Sequence, residues 1–485
     1  MKKAVVIGGG IAGIASALRL KAKGYDVTII EQSEKLGGKI GELSKAGYRF
    51  DTGPSLFTLP HLVDELFALF NKNARDNFNY KKLDVVCKYF FSDGTTFSAY
   101  SEAGRLTAEI EEVFKIHPNV IQKYLSKYKE LYNITAPLFI FSSIHRLKVL
   151  FSQNFFRGIF NFYKIGMFRT MNRVNKKLLK HPYLVQVFNR FATYNGSNPY
   201  VAPSTLNVIA HLEFSLGAFF PEAGMRGIVN ALEKLMLDTG IDIRLNEKVE
   251  SINIVKGKVT GVKTEHGFFE ADICISDIDV YQAYKLLPNK KLANRYSKQE
   301  RSTSALIFYW SVSKAFENLD LHNILFADNY KEEFRYLFKT KELYHDPTVY
   351  IFISKKQVAN DAPTGCENWF VMINVPENIG QDWDTIIDKA RIQIQAKIKS
   401  ILGVEINKHI ENEFVQDPRM IEKHTSSFHG SLYGTSSNNR MAAFNRHPNF
   451  SRKYKGLYFV GGSVHPGGGI PLCLSSAKIV DELIS

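Results

Sequence analysis

Cysteine is scarce in this 485-residue chain, and the four that occur, Cys87, Cys274, Cys366 and Cys473, lie far apart. With no CxxC and no Cys/His cluster, neither a structural zinc site nor a disulfide framework is indicated, and no metal site is expected. Such usage fits a reducing compartment. No apolar run reaches the ~18 residues of a membrane-spanning helix. Met1-Lys2-Lys3 passes at once into Ala4-Val5-Val6-Ile7, too short for the apolar core of a signal peptide, so none is expected. Acid is missing from one long stretch: there is no Asp or Glu from Leu131 to Leu212.

That stretch is not short of charge. Arg146, Lys148, Lys176, Lys177, Lys180 and Arg190 fall within it, interleaved with Phe139, Phe141, Phe151, Phe155, Phe156, Phe160, Phe162 and Phe168. The formal net charge of the chain is +14. No nucleic-acid-binding module accompanies the basic stretch, so nucleic acid is not expected as a partner. One reading is a basic helical subdomain with a solvated face. The other is a peripheral anionic membrane surface, because bulky aromatics beside positive charge suit the headgroup boundary. Hydrophobic residues make up 45% of the chain, ample for a large core.

The N-terminus holds the first strong motif. Ala4-Val5-Val6-Ile7 is a buried-strand candidate. Gly8-Gly9-Gly10-Ile11-Ala12-Gly13 matches GxGxxG, Ile14 to Lys23 reads as a helix, Tyr25 to Ile30 as a second strand, and Glu31 closes it. Gly8 permits the tight turn, Gly10 lets a pyrophosphate approach the backbone, and Gly13 lets helix and strand pack closely. The helix N-terminus offers free N–H groups to phosphate. Glu31 can accept hydrogen bonds from ribose hydroxyls. A lone GxGxxG is weak, but here strand, loop, helix, strand and acid follow in order within about 30 residues, which specifies dinucleotide binding. No second such motif follows a strand elsewhere, so no separate nicotinamide site is expected.

The rest reads as mixed α/β. Lys82 to Tyr100 is a hairpin turning at Asp93-Gly94, and Ala103 to about Leu212 is largely helical. Phe220 to Met225 reads as a loop, Gly227 to Asp238 as a helix, and Ile241 to Glu270 as strands with turns at Lys256-Gly257 and His266-Gly267. Asn294 to Val415 contains the strand-like Thr348–Ile353 and Trp369–Val375 and a helix over about Asp382–Leu402 with a solvated face. Gly456 to Val460 is a strand running into Gly461-Gly462-Ser463-Val464-His465-Pro466-Gly467-Gly468-Gly469-Ile470-Pro471, and Leu472 to Ile484 is helical. The tail glycines therefore lie between a strand and a helix N-terminus.

The tail Gly456–Pro471 resembles the C-terminal signature of the bacterial carotenoid desaturases, the phytoene-desaturase family. The resemblance extends to Glu34–Lys39, similar to the second glycine pair and basic residue of flavoproteins in that superfamily, and to Phe50–Ser55, similar to their next FAD-contacting loop. Asn195–Pro199 and Phe220–Gly227 also match. Val464 and Gly468 depart from the most familiar bacterial form, and Ser463–Gly469 with Gly430–Gly434, Arg440 and Phe444 looks closer to the hydroxycarotenoid 3,4-desaturase branch.

The resemblance implies an α/β (α+β) protein: a discontinuous Rossmann-like FAD-binding domain (residues 1–75, 220–292 and 416–485), a mixed-sheet substrate domain (76–130 and 293–415) and a helical, membrane-associating region (131–219). FAD is the implied cofactor, held by Gly8, Gly10, Ile11, Ala12, Gly13, Glu31, Gly38, Lys39, Gly53, Pro54, Ser55, Val249, Gly462, Gly469, Ile470 and Pro471. The implied reaction forms a C=C bond beside a polyene, most specifically C3–C4 of a 1-hydroxylated acyclic or monocyclic carotenoid. O2 or a quinone would accept the electrons, and the enzyme would be cytoplasmic, peripheral on the inner face of the cell membrane. Candidates for proton chemistry are His211, Glu213 and His465; a surface or ion-paired role is the alternative for Glu213, and a turn-fixing role for His465. The family's helical acid–base cluster includes an Asp, and Ile140–Leu150 contains no acid. Arg190 is expected to be structural or to face headgroups. A phytoene-type multistep desaturase, a carotenoid isomerase and a non-catalytic membrane-associated flavin-binding protein remain open alternatives. A soluble amine oxidase would carry an acid where this chain has Ser463.

Overall fold

The computed structural model describes residues 1–146, 166 and 168–484. Lys148, Phe151, Phe155, Phe156, Phe160 and Phe162 of the basic, Phe-rich stretch lie outside the described residues.

The apolar N-terminal run becomes the centre of a five-stranded parallel sheet. Its order is Leu457–Phe459, Ile273–Ser276, Lys3–Ile7, Asp26–Ile30 and Asp242–Arg244. A strand covered on both faces needs apolar residues at every position rather than at alternate ones. Ala4 and Val6 pack with helix residues Ile14, Ala15 and Leu18, whereas Val5 and Ile7 pack with Ile252, Val262 and Leu457. The second face is thus covered by the three-stranded antiparallel sheet of Val249–Val255, Lys258–Thr264 and Phe268–Glu270. The helices Ile11–Ala22, Arg226–Asp238 and Ile470–Leu483 belong to the first face.

A second sheet has seven strands in the order Ile410–Gln416, Ser304–Val312, Glu367–Val375, Val349–Ile353, His322–Leu325, Val85–Phe90 and Thr96–Tyr100. All neighbours are antiparallel except Val85–Phe90 with His322–Leu325. The sequence-based reading places strands near Thr348–Ile353 and Trp369–Val375 and finds the hairpin, but it misses Ser304–Val312, in which every residue is buried. Along that strand Leu306, Phe308, Trp310 and Val312 pack under the helix Trp383–Leu402. Ala305 and Ile307 turn the other way and line a large cavity. The helix Trp383–Leu402 is accordingly only half solvated: Trp383, Ala390, Ile394 and Ile398 are buried, and so is Lys397, paired with Asp346 at 2.5 Å.

Helices Ala103–Phe114, Pro118–Phe139, Met171–Leu179 and Pro182–Asn189 form the helical region. A buried amide network joins three of them to the segment that follows. The Tyr124 hydroxyl donates to Asn175 Oδ1 at 2.9 Å, Asn175 Nδ2 to Asn189 Oδ1 at 3.0 Å, and Asn207 Nδ2 to Asn175 Oδ1 at 2.9 Å. A buried side-chain network of this kind favours one packing over others, although Asn207 Oδ1 finds no partner among the described residues. Phe219–Pro221 is not simply a loop: it pairs as a short antiparallel strand with Tyr80–Lys82. Among the described residues no helix is long and apolar enough to cross a membrane.

Candidate active site

Ile7, Ile30, Asp277 and Gly462 lie at or just beyond the carboxyl ends of four parallel strands, and all four line a cavity of about 1430 Å³. Ligands of open α/β sheets bind at that edge. The Glu31 carboxylate is buried there, accepting from the Gly9 N–H at 2.7 Å and from the Ser33 N–H at 2.9 Å. A Cβ at Gly13 would stand 2.1 Å from the Gly8 carbonyl oxygen, so only glycine allows this approach of helix to strand. Gly38 and Lys39 adjoin the loop through the Gly37 N–H, which donates to the Gly9 carbonyl at 2.7 Å. Lys39 Nζ donates to the Leu432 carbonyl at 2.7 Å, and burial pushes its pKa down to about 8. Gly53, Pro54, Ser55 and Val249 complete this wall. A bare glycine loop at a helix N-terminus, with a buried carboxylate beside it, fits the pyrophosphate and ribose of FAD.

The tail forms the adjoining wall. The Val460 N–H donates to the Ser276 carbonyl at 2.9 Å and extends the sheet register into the glycines. A Cβ at Gly462 would lie 3.3 Å from Gly468 Cα, so the two limbs of the loop touch backbone to backbone. Gly462, Gly469, Ile470 and Pro471 face the cavity, as does His465. His465 Nε2 donates to the Ser142 carbonyl at 2.8 Å, and Asn449 Nδ2 donates to the His465 carbonyl at 2.6 Å. Burial pushes the imidazole pKa down to about 3, so the ring is neutral. His465 therefore ties the tail loop to the chain just beyond the helix Pro118–Phe139.

Further along, the lining is largely apolar, with two polar clusters. Arg190, which the sequence suggests is structural or headgroup-facing, is buried beside Glu213 at 3.1 Å. It also donates to the hydroxyls of Tyr89 and Tyr194, each at 2.7 Å, and the Tyr194 hydroxyl donates to Glu213 Oε2 at 2.5 Å. Burial raises the Glu213 pKa against the pull of Arg190. The second cluster runs from Ser55 Oγ to the Tyr350 hydroxyl at 2.7 Å and on to His322 Nδ1 at 2.7 Å.

Among the residues singled out from sequence, Gly8, Gly10, Ile11, Glu31, Gly38, Lys39, Gly53–Ser55, Val249, Glu213, His465, Gly462 and Gly469–Pro471 line one cavity. Ala12 and Gly13 sit behind it, in the helix that backs the loop. His211 does not line it. It packs against Tyr132 with ring centroids 5.4 Å apart, because residues two apart on a helical turn point to nearly opposite sides, and Glu213 takes the cavity side. Three participants escape the sequence reading. Asp277 follows the strand Ile273–Ser276 directly, and its place at the end of a strand next to the first was the available signal. Tyr194 and Arg446 carry no local signal; only tertiary packing brings them to the cavity.

Comparison with known proteins places the chain in a class. Residues 11–480 match the family described as flavin containing amine oxidoreductase, and the chain belongs to that family. It is thus an FAD-dependent oxidoreductase, and FAD is its cofactor. Within the family the chain is 49% identical over 485 residues to a 1-hydroxycarotenoid 3,4-desaturase of Flavobacterium sp., covering 100% of this chain and 99% of that protein. It is 32% identical to a 4,4'-diaponeurosporene oxygenase of Staphylococcus aureus, covering 99% and 98%. Among solved structures, an oxidoreductase from Methanosarcina mazei shares the fold with a TM-score of 0.64 at 14% identity, covering 99% of this chain and 100% of that one.

Proposed function

We propose that this protein is a carotenoid desaturase that forms the 3,4 double bond of a 1-hydroxylated acyclic or monocyclic carotenoid. The observation that carries this reading is the 49% identity, over the full length of both chains, to a 1-hydroxycarotenoid 3,4-desaturase. The cavity agrees with it: one end is the nucleotide cradle, and the other is walled by Leu138, Ile140, Ile144, Leu206 and Ile209, apolar side chains suited to a polyene.

Bound FAD supplies the two-electron oxidation of a C–C single bond. The chain supplies placement and dryness. Its glycine loop, Glu31, Gly38–Lys39, Gly53–Ser55, Val249, Gly462 and Gly469–Pro471 hold the cofactor. Glu213 is the candidate acceptor for the proton that leaves the neighbouring carbon, because it is a buried carboxylate of the cavity lining, oriented by Arg190 and Tyr194. His465 holds the tail loop in place rather than moving a proton, since burial that lowers its pKa to about 3 makes it a weak base and its Nε2–H is engaged.

A long hydrocarbon must enter without crossing water. Phe139 and Phe444 line the cavity with ring centroids 5.5 Å apart, and Phe444 is 42% exposed, which makes this pair the candidate mouth. Exposed Lys176, Lys177 and Lys180 lie on and just after one helix of the same helical region. This arrangement suits docking on an anionic membrane from the cytoplasmic side, with O2 or a membrane quinone taking the electrons. The decisive experiment expresses the protein in cells that make different carotenoids and identifies the pigments by mass and absorption. Loss of two hydrogens from 1-hydroxylated substrates alone is the expected result; conversion of phytoene, or isomerisation without loss of mass, would replace the reading.

A further inference from the structure

Among the described residues, Arg446 is a buried cation without an anion. It is 4% exposed and lines the cavity. Nη1 donates to the carbonyls of Tyr433 and Gly462, each at 3.2 Å. Nη2 donates to the Thr435 carbonyl at 3.0 Å and to Ser437 Oγ at 3.4 Å. Every one of these acceptors is neutral. Among the described residues no carboxylate pairs with this guanidinium, whereas the neighbouring Arg301 is paired with Asp279. Burial, with the like charge of Arg301, lowers the Arg446 pKa only to about 10, so the group stays charged at neutral pH.

An unpaired buried ion costs several kcal/mol. The cost falls when a bound anion faces it. The acids that line this cavity are already engaged: Glu31 and Asp277 accept backbone N–H groups of the nucleotide loop, Asp279 pairs with Arg301, Glu213 pairs with Arg190, and Glu247 accepts from Thr264 Oγ1. The anion that suits Arg446 must therefore come with a ligand. FAD offers two: its pyrophosphate, and the ring edge that becomes negative when the ring takes up two electrons and one proton. The first is provided for by the N-terminus of the helix Ile11–Ala22. Arg446 is held by the tail loop instead. Its guanidinium carbon is 3.5 Å from where a Cβ of Gly467 would stand, and Gly467 leads through Gly469 into the helix Ile470–Leu483. That helix presents its own positive end to the same place.

We propose that Arg446 is the cationic partner of the negative charge that the flavin ring acquires on two-electron reduction, acting together with the N-terminus of the helix Ile470–Leu483. The inference rests on the reading of this cavity as the flavin site. Electrons and one proton come from the substrate C–H bond, the second substrate proton leaves separately, and Arg446 neither gains nor loses a proton.

The test uses purified holoenzyme and sulfite, which adds to oxidised flavin and leaves a negative charge on the ring. Arg446→Met should weaken sulfite binding at least tenfold and lower the two-electron midpoint potential by about 30 mV or more, the equivalent of one tenfold step. Oxidised FAD should stay bound nearly as tightly as in the wild type, and Arg446→Lys, which keeps the charge but not the fork, should bind sulfite more tightly than the Met variant and less tightly than the wild type. Should the Met variant not fold, Arg446→Gln, which keeps donors for the carbonyls, gives the same reading. Unchanged sulfite affinity and potential overturn the inference. So does an equal loss of affinity for oxidised and reduced FAD, which would put Arg446 on the pyrophosphate. A wild-type protein that takes up no flavin would overturn the cavity reading itself, a result separable from either.

Discussion

Asp277 Oδ2 accepts a hydrogen bond from the Gly13 N–H at 2.7 Å, so a carboxyl group closes off the first turn of the helix Ile11–Ala22. The same carboxyl crowds Gly10 and Gly461, which joins the loops of three adjacent strands at one point. It is buried enough that its pKa is pushed up to about 7.

In the unfolded chain an Asp titrates near about 3.9. The folded apoprotein therefore binds a proton at Asp277 that the unfolded chain releases, and its stability falls as pH rises from about 4 to about 7. Asp277→Asn keeps an acceptor for Gly13 and removes this penalty. The variant apoprotein should match the wild type near pH 4 and exceed it by a few kcal/mol near pH 8. Thermal melts across that range check it; a difference independent of pH would falsify the titration of Asp277.

Glu213→Gln should lower turnover by roughly 10²-fold or more, the usual scale of a lost proton acceptor, with the flavin spectrum kept. It also leaves Arg190 buried without its carboxylate, at a cost of roughly 3–5 kcal/mol. Adding Arg190→Met should recover stability but not turnover. Single-turnover bleaching and urea titration separate the two effects. Full turnover in Glu213→Gln would move the proton acceptor elsewhere.

His465 remains neutral over the working pH range because burial holds its pKa at about 3. The pH–rate profile of His465→Asn should keep the limbs of the wild-type profile, at a lower plateau from the loosened Ser142 contact. Disappearance of an acidic limb near pH 6 in the variant would assign proton transfer to this histidine after all.

Lys176→Glu, Lys177→Glu and Lys180→Glu together should reduce pelleting with anionic liposomes by at least tenfold, since each Lys near such a surface contributes ~1 kcal/mol. These side chains are exposed, so the melting temperature should stay the same. Unchanged pelleting would remove this patch from the membrane-docking surface.

Sequence alone determined the nucleotide end of the site. Gly8, Gly10, Gly13 and Glu31 act within one strand–helix–strand unit, so their spacing along the chain already encodes their geometry in space. The tail glycines were legible for the same reason, lying between a strand and the helix they precede. Tertiary structure alone decided the rest. Ser304–Val312 is apolar on both faces and shows no alternation, so only its neighbours identify it as a central strand. Glu213 rather than His211 reaches the cavity because of the turn that carries both, and it meets Arg190 and Tyr194 from a separate segment. Arg446 carries no local signal in a chain of formal charge +14. Its burial among carbonyls follows from the meeting of the Tyr433–Ser437 loop with the tail, segments that the linear pattern does not connect. Local motifs survive in sequence because their parts are neighbours along the chain; charge burial does not, because the surroundings that set it come from the whole fold.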